Sequence, residues 1–293
     1  MKWGFVGSLC IVIAISLPVT CAKSEFQTWT NVMTEPTNEG SEQSLSSQHN
    51  ETCCPIVELR QYTLYPGKRD VLMDLFDREF VESQEAVGMT LIGQFRDLDK
   101  PNRFVWLRGF RDMPSRAQAL KDFYYGPVWK AHRDEANPTM IDATNVLLLR
   151  PASPLSGFSV NIKDRPKPGA NEGSKGLVIT TIYYFDAPVS ADFVDFFEHT
   201  LKAAVTGSGA SILGYFVTES SANNFPALAI RENEHVLVWF MRFVDQAAYE
   251  RHATVLSRSR RWRSEISGEL ARRLKATPEV LRLSPTARSL LHG

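Results

Sequence analysis

Residues 56–80 read IVELRQYTLYPGKRDVLMDLFDREF. The first part alternates: Val57 and Leu59 fall on one side, Glu58, Arg60 and Tyr62 on the other, which is the period of a strand. Pro66-Gly67 ends it, because this pair favours a turn over continued pairing. Leu72, Leu75, Phe76 and Phe80 then recur at helical spacing, so a helix is expected over about 68–85. Working outward, strands are expected at about 89–95 and 104–110, the second with Trp106, Arg108 and Phe110 on one side. Asp112 reads as an N-cap with Pro114 in the first turn of a second helix. That helix breaks at Tyr125-Gly126-Pro127 and resumes to Asn137, and a strand over about 143–150 ends at Pro151.

The element order is βαββαβ, the ferredoxin-like plan. Residues 153–176 are rich in Pro, Gly and Ser and read as a linker. The plan then repeats at fixed offsets. Tyr62, Leu72, Leu75, Phe76, Phe80, Gly93 and Phe95 match Tyr183, Phe193, Phe196, Phe197, Leu201, Gly214 and Phe216, all 121 residues on. A loop insertion of 12 residues moves the offset to 133, which pairs Trp106, Phe110, Asp112 and Trp129 with Trp239, Phe243, Asp245 and Trp262. At 134, Val146 and Pro151 match Val280 and Pro285. Stepwise offsets of this kind point to a tandem duplication. A sheet covered by helices on one face needs cover on the other, so the expected class is α+β, with two ferredoxin-like domains packed sheet to sheet as a barrel.

The segments Glu58-Leu59-Arg60-Gln61-Tyr62, Pro66-Gly67, Gly126-Pro127-Val128-Trp129-Lys130-Ala131-His132-Arg133 and 145–151 resemble the NIPSNAP domain. The likeness covers residues 56–152 well and the second copy, 177–285, only in its framework. It implies the dimeric α+β barrel group, which includes antibiotic-biosynthesis monooxygenases and other handlers of small molecules. It implies no established reaction. Animal members are associated with mitochondria, whereas the N-terminus here has a different character.

Residues 1–22 carry a short positive start, an apolar run from Phe5 to Val19 and small residues to Ala22, the layout of a secretory signal peptide cut before Lys23. An uncleaved anchor is the alternative; the run is short of the roughly 20 residues a span needs. In 23–52, Ser, Thr, Asn, Gln and Glu supply 21 of 30 residues, too polar to order itself, so 23–54 is expected to be disordered. Asn50-Glu51-Thr52 is a glycosylation sequon if the source is eukaryotic. Cys53 and Cys54 are adjacent and expected not to bridge each other; a bond to another chain, or two unpaired thiols, are the alternatives. The full division is signal 1–22, polar segment 23–54, NIPSNAP-like domain 55–152, linker 153–176, second domain 177–286 and tail 287–293. Export to the secretory pathway is therefore expected.

Lys plus Arg and Asp plus Glu both number 33, so the net charge is zero, which argues against a protein built to coat nucleic acid or an anionic membrane. Gly207-Ser208-Gly209 follows a helix and lacks the third glycine of a dinucleotide loop. No nucleophile elbow and no zinc-spaced Cys or His set is present in the sequence. His199 and His252 fall on helices and are expected to be solvated, and the arginines around Trp262 read as a solvated helix face.

Subtracting the copies isolates polar residues that one copy alone carries. Glu58, Arg60, Arg108 and His132 align with Ile179, Thr181, Met241 and Glu265. Charges on an inward sheet face must pair, meet a ligand or see water. The expected site is therefore a polar pocket between the sheets. Arg60 and Arg108 would hold an anionic or carbonyl group, Glu58 would orient them, and His132 would carry the proton. Tyr62, Trp106 and Trp129 persist in both copies as lining aromatics. The candidate functions are a small-molecule-binding or protein-interaction module without catalysis, a cofactor-free oxygenase or isomerase, and a haem handler with His132 as ligand. No cofactor other than haem and no metal is suggested, and a homo-oligomer is possible.

Overall fold

The computed structural model describes residues 52–170 and 176–292. The expected signal peptide, almost all of the polar segment and Asn50 lie outside the described residues. Strand β1 (Ile56–Leu64) leads into α1 (Arg69–Leu75), a π-helical turn (Phe76–Phe80) and α2 (Val81–Glu85), which replace one uninterrupted α-helix. Then come β2 (Thr90–Asp97), β3 (Arg103–Phe110), α3 (Met113–Tyr124), α4 (Pro127–Ala136), a short β4 (Met140–Asp142) and β5 (Val146–Pro151). The second half has β6 (Leu177–Phe185), α5 (Ala191–Phe196), a π-turn (Phe197–Leu201), α6 (Lys202–Gly207), β7 (Ser211–Thr218) and β8 (His235–Phe243). It ends with α7 (Gln246–Arg258), a π-turn (Trp262–Ile266), α8 (Ser267–Arg273) and β9 (Glu279–Pro285).

Eight strands close into a barrel in the order β3-β2-β9-β6-β8-β7-β5-β1, with β1 returning to β3 and β4 added beside β1. The seams between the halves are β2 on β9 and β5 on β7, both antiparallel. Closure leaves these strands no unpaired edge, which disposes of the aggregation hazard an open edge carries. Corresponding features recur in the two halves. Glu58 faces Arg108 across β1 and β3 as Ile179 faces Met241 across β6 and β8. A bulge follows Leu91 in one half and Ile212 in the other. The glycine at each bulge is required, because a Cβ on Gly93 would meet the Phe95 ring at 2.5 Å and one on Gly214 the Phe216 ring at 2.9 Å. Asp112 and Asp245 both cap their helices by accepting from the backbone N–H of Ser115 and Ala248 at 2.7 Å.

Alternation decides what each strand face buries. The inner face supplies Val57, Leu59, Val105, Leu107, Val178, Ile182, Val238 and Leu283, which form one apolar core at the barrel axis. The outer face of the first half carries Glu58, Arg60, Tyr62, Trp106, Arg108 and Phe110; its apolar members pack into the core shared with α1–α4. This corrects the expectation that the charged face lines a polar pocket between the sheets. An eight-stranded barrel has an interior just wide enough to be filled by side chains. Unpaired charge there would have no partners, whereas the helical layer supplies Gln84, Arg116 and Tyr124.

Three further expectations change. Cys53 and Cys54 are joined as a disulfide, with Cys54 buried. The linker and tail help to fill the barrel: Phe158 packs on Phe216 and Phe240 at 4.6 and 5.0 Å, and Leu291 is buried in the same core. His252 is buried rather than solvated, its Nδ1 at 2.9 Å from the Ser208 hydroxyl, and burial lowers its pKa. His199 is exposed as expected.

Candidate functional site

Strand pairing brings the charged residues together. Glu58 and Arg60 lie two apart on β1 and so share a face, and Arg108 sits opposite Glu58 on β3. Glu58 Oε2 accepts from Arg60 Nη1 at 2.6 Å and Arg108 Nε at 2.8 Å, and Oε1 accepts from Arg116 Nε of α3 at 2.7 Å. All four side chains are at most 1% exposed. Arg60 Nε donates to Tyr62 Oη at 3.0 Å. Arg108 Nη1 donates to Gln84 Oε1 at 3.0 Å and lies 3.5 Å from Tyr124 Oη. The guanidiniums of Arg60 and Arg108 sit 5.3 and 5.1 Å from the Trp106 ring centre, within cation–π range.

Burial alone would raise the pKa of Glu58, but the charges of Arg108, Arg60 and Arg116 outweigh it and hold the carboxyl well below the usual carboxylate range. Burial also pushes the Tyr62 hydroxyl up, so it stays protonated. The group therefore sets three guanidiniums against one carboxylate.

A cavity of about 150 Å³ abuts this cluster. Its walls are aromatic and aliphatic, with Tyr62, Phe76, Phe80, Trp106, Phe123, Tyr124 and Trp129 around it and Gln84 among the few polar contributors. Trp106 Nε1 is buried and has no acceptor among the described residues. One wall comes from the other half. Residues 219–234, the inserted loop between β7 and β8, reach across the seam and bring Leu228 to the cavity. The loop is fastened at both ends by backbone bonds from Glu219 to Leu148 and from Arg231 to Val146, at 2.9 and 2.8 Å. Between them, Asn224 Oδ1 accepts from Arg116 Nη1 at 2.7 Å, and Phe225 stacks on Tyr124 with ring centres 6.1 Å apart. Cavity and charge cluster thus belong to the first half, and their cover to the second.

Of the residues expected in the site, Glu58, Arg60 and Arg108 meet, and Tyr62, Trp106 and Trp129 line the cavity. His132 does not join them. It lies on α4 with Nε2 at 3.4 Å from Glu79 and Nδ1 at 3.9 Å from Glu135, outside the cavity wall. It meets Glu79 of the first π-turn and Glu135 of its own helix instead. Arg116 and Gln84 were not anticipated. Extending the same subtraction along the helices would have found them, since they align with Tyr249 and Val205 at offsets of 133 and 121. A larger groove of about 620 Å³ is walled by Arg150, Glu219, Arg231, Glu232 and Glu234. Arg231 there is already paired with Glu234 at 2.5 Å and donates to the Tyr184 hydroxyl at 3.1 Å.

Residues 57–155 match the NIPSNAP family model, so this stretch is a NIPSNAP domain. No curated protein matches the chain. A NIPSNAP-like domain protein of Burkholderia xenovorans is similar at 30% identity over 36% of this chain and 89% of its own, with a TM-score of 0.32. A NIPSNAP family protein of Agrobacterium tumefaciens is 23% identical over 36% of this chain and 96% of its own, with a TM-score of 0.32. A protein of Lactobacillus acidophilus provisionally assigned as a monooxygenase is 15% identical over 79% of this chain and 94% of its own, with a TM-score of 0.48.

Proposed function

We propose, with residues 57–155 taken as a NIPSNAP domain, that the chain is a small-molecule-binding protein whose site is the aromatic cavity of its first half. The observation that carries this reading is an apolar, ring-walled cavity set directly against a fully buried charged cluster. A structural ion network alone needs no cavity, and a packing defect alone needs no charge. An apolar pocket with a few convergent polar groups is the usual form of a ligand site. The volume supports a modest ligand, since about 150 Å³ holds one benzene ring. Haem does not fit these residues: the cavity is too small for a porphyrin and His132 is not on its wall. The runner-up, a cofactor-free oxygenase or isomerase, uses the same cavity and predicts turnover besides binding.

In this reading the two halves are copies of one ferredoxin-like unit, the second kept as barrel partner and cover. Residues 1–22 direct export, and N-terminal sequencing of secreted protein should begin at Lys23. The site itself is tested by titrating the protein with neutral one-ring probes such as anisole and following Trp fluorescence. Saturable binding is expected in wild type and should be lost in Ala143→Phe, which fills the cavity from its wall. Absence of saturable binding by every one-ring probe would remove the reading.

A further inference from the structure

The charge beside the cavity is unbalanced. Arg60, Arg108 and Arg116 surround Glu58, leaving two positive charges without a buried counter-charge. The other hydrogen-bonding groups that meet the cluster are Tyr62 on β1, Gln84 on α2, the Met89 sulfur, Tyr124 on α3 and Asn223 and Asn224 of the 219–234 loop, none of them a carboxylate. On α4, His132 meets the Phe80 ring and the acids Glu79 and Glu135, outside this cluster. Excess buried charge is costly unless something compensates it. The cavity is where compensation can enter.

The walls define the form of that compensation. None of the three arginines lines the cavity, so a carboxylate could not reach a guanidinium fork there. The nearest donors are neutral. Tyr62 Oη accepts from Arg60 Nε, which leaves its own proton free to donate, and Trp106 Nε1–H has no acceptor among the described residues. Both residues line the cavity. Two neutral donors backed by cations suit a single anionic oxygen, as in an oxyanion hole. The aromatic walls and a volume of about 150 Å³ suit one ring.

Resting on the small-molecule reading above, we infer that the cavity takes a single-ring phenol as its phenolate, the oxygen held by Tyr62 and Trp106 in the field of Arg60 and Arg108. The second half is a built-in contrast. It keeps Tyr183 and Trp239, but Thr181 and Met241 replace the arginines. A tyrosine–tryptophan pair is thus framework, and the cations are what the first half adds.

The test uses 4-nitrophenol, whose phenolate and phenol forms absorb at different wavelengths, with the neutral ether 4-nitroanisole beside it. With excess protein, the ionisation of bound 4-nitrophenol should move down by at least one pH unit, meaning that the phenolate binds roughly tenfold or more tightly than the phenol. Arg108→Met should abolish that shift while 4-nitroanisole still binds. Trp106→Phe, which keeps the ring and removes the donor, should shrink the shift and decides the matter if Arg108→Met does not fold. If 4-nitroanisole binds while bound 4-nitrophenol ionises at or above its free value, the phenolate inference falls and the binding site stands. A shift that survives both substitutions also overturns it. If neither probe binds, the inference and the reading beneath it fall together.

Discussion

Arg108 and Met241 hold one position in the two halves of the barrel, as do Glu58 and Ile179, Gln84 and Val205, Arg116 and Tyr249. Around them the framework is retained: the same strand pairing, the same bulges, the same π-turn at Phe76–Phe80 and Phe197–Leu201. In the second half Ile179, Phe193, Phe197, Trp239 and Met241 fill the space between sheet and helices with apolar contacts. In the first half the same layer is divided between an ion cluster and a cavity. The comparison separates what the fold needs from what it tolerates. Since the second half builds its layer without a single buried ion pair at these positions, the cluster in the first half is not required by the architecture.

Breaking the cluster on one side gives the largest effect. Glu58→Gln leaves three buried guanidiniums without a carboxylate and should cost about 3–5 kcal/mol, read by urea denaturation; a cost under about 1 kcal/mol would mean the cluster is solvated in solution. The pH dependence should agree. Glu58 has its pKa depressed in the folded state, so its contribution is present above the unfolded carboxylate value of about 4.3 and is lost as pH falls below it. Wild type should therefore lose stability below about pH 4 more steeply than Glu58→Gln.

Replacing the cluster whole should behave differently from breaking it. The combined Glu58→Ile, Arg60→Thr, Arg108→Met and Arg116→Tyr chain copies the second half, and buried ion groups exchanged for apolar ones are often neutral or stabilising. Its stability should stay within about 2 kcal/mol of wild type while the downward ionisation shift of bound 4-nitrophenol disappears. Unfolding of this chain would show that the first half depends on its charges structurally. Leu228→Ala sharpens the role of the loop. It should cost about 1–2 kcal/mol, less than a fully buried leucine, and admit probes larger than one ring in the fluorescence titration.

The smallest contrast compares Asp77 with Glu198, equivalent residues of the two π-turns. Burial, only partly offset by Arg288, pushes Asp77 up to about 6. Its ionisation therefore opposes folding progressively between about pH 4 and pH 6, and Asp77→Asn should stabilise the protein at pH 7 by on the order of 1 kcal/mol. Glu198 accepts from the Tyr215 hydroxyl at 2.7 Å, which lowers its pKa, so Glu198→Gln should be slightly destabilising at pH 7. Equal thermal shifts for the two variants would erase this distinction.

The sequence by itself determined the order of strands and helices, because alternation and helical spacing are local consequences of backbone geometry. It also marked Glu58, Arg60 and Arg108 as singular, because their counterparts at a fixed offset are apolar or small. Which way that strand face points was decided only by tertiary structure. Period-two alternation states that Glu58 and Leu59 look in opposite directions, and both faces of a barrel sheet are buried, so the pattern cannot name the one toward the axis. The tertiary structure likewise chose Arg116 over His132, because only packing α3 onto the sheet brings a guanidinium to the free oxygen of Glu58. The cover supplied by residues 219–234 is a contact between distant segments, with Asn224 held to Arg116 across more than a hundred residues of chain, and no local period encodes it.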